Sequence, residues 1–515
     1  MSTHESEKVA PADSANAGTH VADFEKAQLV DHSADLGLQF IAQHGQVEFS
    51  EAEASSVRWK IDLYLMPILM ITFGLQYLDK VTISYAAVYD MRTDLNLVGQ
   101  DYSWANSIFY FGYLVGEFPA NYLLQRLPIG KTAAVTLFIW GILVMLCAVA
   151  KNFAGLAVLR FLMGFFEAGI PPCWIYITSM FYKASEQGTR CTAWYFMVGV
   201  AAIVGGLLGY GVGHISTAVK QWQFVFLICG GFTVFWAFIV GFFLPDSPVN
   251  ARFLSEREKA IAIERLRENR TGVKTTTFKR SQAIEALRDP QVWMFAFWSG
   301  VSQMLNIGGS FLPLIIKDMG FTGLQTTLLT LPVGGVECVA MVVAGALSWY
   351  FPNGRTVTMF VVALPTLVGT VLLQAEPLTS TWARASGVWL LLCIPASYAI
   401  LLSLIASNVA GTTKKVTTTL ISFVFFCVGN IVSPQLFKSE EAPMYGTGIR
   451  AMLVGIVLVQ LITAALGVYY IYENRRRDAL LASTPQEVID AMASENEEFL
   501  DRTDREDYLR FRYKW

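Results

Sequence analysis

"RFLMGFFEAG", residues 160–169, is apolar except for an arginine and a glutamate seven positions apart. The run around it, from Phe153 to Tyr182, holds no other charge. It is long enough to cross a bilayer, which takes about 20 apolar residues. On a helix, positions i and i+7 lie on one face two turns apart, so Arg160 and Glu167 point the same way. A lone charge at mid-membrane costs a few kcal/mol, so both must face a cavity or a partner. The rest of the chain has to supply that partner.

Composition says that this span has company. Of 515 residues, 54% are hydrophobic and 15% charged, whereas soluble proteins carry about 25% charged residues. The net charge of −3 excludes little, because the charges gather in the first sixty residues, a middle segment and the last forty. Between them lie twelve apolar runs: 61–89, 102–125, 131–150, 153–182, 189–214 and 222–244, then 291–317, 325–350, 356–374, 386–409, 416–436 and 449–472. The expected fold is therefore an all-α membrane protein of twelve transmembrane helices in two six-helix bundles. Its expected parts are an N-terminal tail (1–60), a first bundle (61–244), a connector (245–290), a second bundle (291–472) and a C-terminal tail (473–515). The polar start holds no cleavable signal peptide. The cysteines at 147, 173, 191, 229, 338, 393 and 427 fall in or beside the runs without metal-ligand spacing, and read as packing residues.

Lysine and arginine placement orients the chain. Ten basic residues between Arg252 and Arg288 and eight after Tyr472 place the connector and both termini in the cytoplasm. "SEAE" at 50–53 leads into span one, "SERE" at 255–258 is a capping box for a connector helix ending near Gly272, and "TPQE" at 484–487 starts a C-terminal helix. Gln76-Tyr77-Leu78-Asp79 in span one resembles Gln303-Met304-Leu305-Asn306 in span seven, as two related halves require. Gly112 and Gly116 in span two, and Gly205, Gly209 and Gly213 in span five, are spaced by four, so helices approach closely there. That closeness serves either static packing or a seam on which the halves rock.

Span one supplies the missing partners. "QYLDKVTIS" places Asp79 and Lys80 at a depth similar to Arg160 and Glu167. Two acids and two bases around a wet cavity divide by chemistry. Arg160 stays charged, and its planar fork suits a carboxylate. Lys80 is a second, point-charge contact. Glu167 is the best proton carrier and Asp79 the second candidate; a proton on Glu167 frees Arg160 for a substrate anion. The competing reading is a pair of structural salt bridges, which add little net stability. In the second bundle Glu337 is the only acid inside a span; Gln303, Asn306, Tyr398, Asn408 and Asn430 are polar contacts for substrate or for helix packing. Glu117, with Arg126 or Lys131, is a candidate cytoplasmic latch.

At these motifs the chain resembles the major facilitator superfamily, within it the anion:cation symporters, and among those the fungal allantoate permease branch. The matching stretches are "QYLDK", "FYFGYLVGEFP", "LLQRLPIGK", "RFLMGFFEAG", "LPDSP", "SNVAGTTKK", "GNIVSPQLF" and "DRTDREDYLRFRY". The resemblance implies carriers of nicotinate, pantothenate, ureidosuccinate and similar acids, with proton coupling and anion binding mapped onto Asp79, Lys80, Arg160 and Glu167. Span five departs from the branch: "WYFMVGVAA" places Val198 where asparagine is expected and Ala202 where glutamine is. Glu337 stands where a neutral polar residue is usual. These changes fall where substrate contact is expected, so the named substrates of the branch do not transfer to this chain, and a less polar acid is expected.

The expected function is proton-coupled symport of a small organic carboxylate by alternating access in the plasma membrane. The proton gradient drives it, without cofactor, metal or nucleic acid, and a monomer in the lipid bilayer is expected. An exporter of an acidic metabolite and a non-transporting nutrient sensor are the alternatives. No nucleophile–base pair, metal cluster or phosphate-binding glycine loop points to an enzyme.

Overall fold

A computed structural model describes residues 48–515 except 125, 268–277, 306–310, 352, 378 and 486–501. Among the described residues, ten helices are long and apolar enough to cross a membrane. Spans one and three to six are Glu51–Val88, Ile129–Cys147, Phe153–Phe181, Glu186–Gly213 and Gln221–Phe243. Spans eight to twelve are Gly323–Tyr350, Arg355–Ala375, Thr381–Asn408, Thr412–Leu436 and Gly446–Ser483. The other two predicted spans are also helical, but each departs from an unbroken apolar rod. Span two, Asp101–Leu124, carries Asp101, Asn106, Glu117 and Asn121. Span seven is Pro290–Met304 and then Leu312–Asp318, on either side of residues 306–310.

Local chemistry explains the ends. Ser50 and Glu53 form the capping box of span one: the Glu53 amide donates to the Ser50 hydroxyl at 3.2 Å, and the Ser50 amide to the Glu53 carboxylate at 3.0 Å. The same box opens the connector helix Glu256–Arg267, with the Ser255 amide donating to Glu258 at 2.7 Å. Its expected end at Gly272 lies outside the described residues. Span four is two helices, Phe153–Glu167 and Ile170–Phe181, interrupted before Pro171 and Pro172, which have no amide hydrogen to give. Span twelve runs eleven residues past its predicted end at 472, to Ser483, because "ENRRRDALLAS" continues the helix into water. Thr484 caps that helix, and the rest of the expected C-terminal helix lies outside the described residues.

Spans one to six pack into one bundle and seven to twelve into another. The glycine pairs sort between them. A Cβ on Gly112 or Gly116 would lie 2.0 and 2.2 Å from the Phe161 and Phe165 carbonyls of span four, which is packing inside one bundle. Gly205 is also internal, against Tyr85 and Leu78. Gly209 and Gly213, by contrast, meet Thr327 and Leu324 of span eight across the halves. A second seam, here backbone against backbone, lies at a pair that the spacing did not reveal. A Cβ on Gly199 would sit 2.8 Å from the Gly334 carbonyl, and one on Gly334 would sit 2.5 Å from that of Gly199.

The two ends of the molecule differ. Among the described residues, hydrogen bonds between halves gather toward the end opposite the termini. Lys317 donates to the Val88 carbonyl at 2.6 Å and pairs with Asp90 at 3.2 Å. Ser439 donates to the Gly99 carbonyl at 2.8 Å, and Ser107 to that of Ile431 at 2.7 Å. At the end bearing the termini, ion pairs stay within a half. Arg265 meets Glu186 at 2.8 Å and Arg190 meets Asp62 at 2.6 Å in the first. In the second, buried Lys414 meets Glu285, Asp289 and Asp504 at 2.9, 2.7 and 2.7 Å. The protein is thus clasped at one end and unclasped at the other.

Candidate functional site

The four charged side chains read from sequence do converge on the first bundle, but not as two equivalent pairs. Lys80 Nζ lies 2.7 Å from Glu167 Oε1. The glutamate is fully buried and the lysine a quarter exposed, so the pair sits at the wall of the space between halves. Glu167 is the last residue of its helical segment, where span four is interrupted. Gln76, one turn before Lys80, is buried, and its Nε2 has no hydrogen-bond partner among the described residues. Lys80 Nζ also lies 5.9 and 5.5 Å from the ring centres of Phe109 and Tyr113 on span two. That distance is short enough for the ring faces to attract the ammonium.

Asp79 points elsewhere. Adjacent helical positions are about 100° apart, and its carboxylate turns toward span six, where Thr233 Oγ1 donates to Oδ2 at 3.0 Å. Its other oxygen has no hydrogen-bond partner. The same interface is stitched by Trp236 Nε1 donating to Thr72 at 2.9 Å. Asp79 therefore belongs to the packing of spans one and six, and Lys80 to the space in front of them.

Arg160 is 2% exposed and forms no ion pair among the described residues. Its Nε donates to the Ala105 carbonyl at 3.3 Å, its guanidinium lies 4.9 Å from the Phe109 ring, and Nη1 has no hydrogen-bond partner. The fork is held by backbone and ring while part of its donor capacity is unspent. That arrangement suits an incoming carboxylate, which accepts two parallel N–H bonds. The i+7 spacing revealed the shared face; only the fold shows that Lys80 takes Glu167 while Arg160 has no ion pair among the described residues.

The second bundle contributes polar but mostly self-satisfied groups. Asn430 Nδ2 donates to Gln303 Oε1 at 3.3 Å and to the Phe426 carbonyl at 3.0 Å, linking spans eleven and seven. Tyr398 stacks between Trp298 and Phe426, with ring centres 6.1 and 5.6 Å away. Glu337 is fully buried and neither carboxylate oxygen has a hydrogen-bond partner; Tyr77 of span one lies near it. Asn306 lies outside the described residues. Asn408 proves to be scaffold, exchanging hydrogen bonds with the Lys514 backbone at 2.7 and 2.9 Å. Val198 and Ala202 are both buried, and the Ala202 carbonyl accepts from Tyr85 at 3.3 Å.

The proposed latch is not assembled in this conformation. Glu117 accepts from Asn121 Nδ2 at 2.9 Å, whereas exposed Arg126 lies over the Tyr122 ring at 4.4 Å and Lys131 is exposed. Sequence reasoning also missed Ala105, Phe109, Tyr113 and Thr233. None is unusual in an apolar helix, and only the packing of spans one, two, four and six brings them to the charges.

Comparison with known proteins agrees with this architecture. Residues 69–434 match the Major Facilitator Superfamily. The chain is 44% identical over 494 residues to an uncharacterized transporter of Schizosaccharomyces pombe, covering 96% of this chain and 91% of that one. It is 34% identical over 505 residues to the allantoate permease of Saccharomyces cerevisiae, covering 95% and 91%. In fold it is similar to the proton:xylose symporter XylE of E. coli, with a TM-score of 0.61 at 15% identity over 80% of this chain and 95% of that one. Two helical bundles, a charged cluster within the first and relatives matched nearly end to end lead to one assignment: this chain is a multi-pass membrane protein of the major facilitator superfamily, a family of transporters and not of enzymes.

Proposed function

We propose that the protein is a proton-coupled symporter of a small organic carboxylate, working by alternating access in the plasma membrane with both termini cytoplasmic. The observation that carries this reading is Arg160: a buried guanidinium with a free donor and, among the described residues, no ion pair, beside a lysine already paired with Glu167. A substrate carboxylate supplies the missing counter-charge. A proton on Glu167 weakens its hold on Lys80, which then becomes a second contact for the anion. Proton and substrate thereby enter together, and because their charges cancel, loading both leaves the net charge of the site unchanged. On the proposed orientation the clasped end is external and the conformation is inward-facing. The allantoate permease relative makes allantoate the first acid to try, with nicotinate, pantothenate and ureidosuccinate beside it.

The test is uptake of these labelled acids by proteoliposomes under an imposed pH gradient. Accumulation of at least one acid, abolished by a protonophore, is expected. Outward movement alone favours an exporter of an acidic metabolite. Binding without movement in either direction favours a sensor and overturns the proposal.

A further inference from the structure

We propose that Tyr113 and Glu117 form the exit path that carries the coupling proton from Glu167 to the face of the molecule bearing the termini. The inference rests on the proton-coupled reading above and assigns Glu117 a role other than a latch.

Three groups stand in file. Glu167 is fully buried behind Lys80. Tyr113 comes next: its ring is 5.5 Å from Lys80 Nζ, the ammonium that holds Glu167 at 2.7 Å. Glu117 follows four residues later on span two, hence on the same face one turn nearer the unclasped end. It is seven residues before Leu124, where that helix ends, or about 10 Å at 1.5 Å per residue. Exposure rises along the file, from Glu167 at zero through Tyr113 at 6% to the partly exposed Glu117.

The surroundings of Glu117 fit a relay better than an ion pair. On its own helix it faces Tyr113 and Asn121, and the Asn121 amide holds Oε1 at 2.9 Å. From span eleven it faces Cys427, and through Tyr113 it looks toward Glu167 on span four and Tyr195 on span five. The cation of this neighbourhood is Lys80 of span one, 5.5 Å from the Tyr113 ring and already paired with Glu167, and among the described residues Glu117 itself forms no ion pair. Rings close the file against span eleven, with Tyr113 and Phe423 centred 5.5 Å apart.

Transfer needs no other reactant. The Tyr113 oxygen accepts the proton of Glu167 as its own proton passes to the Glu117 carboxylate. Glu117 then releases that proton to water on the unclasped side, and rotation of the phenol resets the relay. Glu167 is left anionic and recaptures Lys80, which loosens the substrate.

The experiment compares two modes in proteoliposomes: pH-driven net uptake, which must discharge a proton each cycle, and exchange of labelled for unlabelled substrate, which need not. The probe is allantoate or, if it is not carried, the member of the acid panel that wild type accumulates. Glu117→Gln and Tyr113→Phe should each slow net uptake about tenfold or more, within the range by which positioned acid–base groups act. Exchange should stay within about twofold of wild type, and Glu117→Asp should recover much of net uptake. The Glu117→Gln defect should deepen as internal pH is lowered. Net uptake by both variants equal to wild type overturns the proposal, as does a parallel loss of exchange in variants whose melting temperature in detergent is unchanged. Wild type failing to accumulate any acid overturns the parent reading instead.

Discussion

Arg160 and Glu167 share a helix face yet have opposite fates, because one finds a counter-charge in span one and the other finds a backbone carbonyl and a ring. The geometry makes separate expectations for the two. Arg160→Lys keeps the charge and loses the fork, so KM for a carried carboxylate should rise about tenfold or more, the loss of about 1.5–3 kcal/mol expected for a charged hydrogen bond. Arg160→Ala should abolish transport; an Arg160→Lys variant with wild-type KM would leave only a general electrostatic role. Glu167→Gln mimics the protonated carboxyl permanently. It should still exchange substrate but should lose accumulation against a gradient. Asp79→Asn is the control, because Thr233 can still donate to the amide oxygen. If Asp79→Asn loses accumulation in the same assay while Glu167→Gln keeps it, the proton belongs to Asp79.

If the halves rock as proposed, helices carry the motion, and the glycine contacts separate the pairs inside one half from those between halves. Spans two and four are interlocked by Gly112, Gly116 and Gly164, each with a carbonyl of the facing helix where its side chain would be. Spans five and eight meet in the same manner at Gly199 and Gly334, but those helices belong to different halves. Gly199→Val should therefore leave the bundle folded and prevent the halves from closing along this seam. Cys338 provides the readout, because its sulfur sits 2.7 Å from the position of a Gly199 Cβ. With the other six cysteines replaced, labelling of Cys338 by a membrane-impermeant thiol reagent from the clasped side should rise several-fold, and net transport should be lost. Gly112→Val should instead lower the yield of folded protein without raising that labelling.

At the scale of the whole molecule, the C-terminal segment closes over the second bundle. Asp504 accepts from Lys414, Gln291 and Tyr513 at 2.7, 3.1 and 2.7 Å. The Arg355 amide donates to the Trp515 carbonyl at 2.7 Å, so residues 502–515 tie together the starts of spans seven, nine and eleven. Removing one partner of such a buried pair costs about 3–5 kcal/mol. Asp504→Ala should consequently lower the melting temperature in detergent by several degrees, while Asp478→Ala, an exposed partner of Arg512, should barely move it. Topology has its own test. Tags at residue 275 and at the C-terminus should both resist external protease in intact cells, and cleavage of either would sink the inside–inside orientation.

What the chain order alone determined is the part governed by transfer into lipid and by local helix geometry. Apolar run lengths located the spans, Ser50 and Ser255 marked helix starts, and i+7 spacing placed Arg160 with Glu167. The family was legible too, since its motifs are contiguous strings. Partner choice was not, because two acids and two bases at one depth admit several pairings and nothing local distinguishes them. The rotation of span one against spans four and six decided that Lys80 takes Glu167 and Asp79 takes Thr233. The same holds for Gly199 with Gly334 and for Asp504 with Lys414: residues distant in sequence whose meeting depends on how whole helices stack. Which end is clasped was likewise beyond the sequence, since both conformations of a rocking carrier share every residue and differ only in which contacts between halves are made.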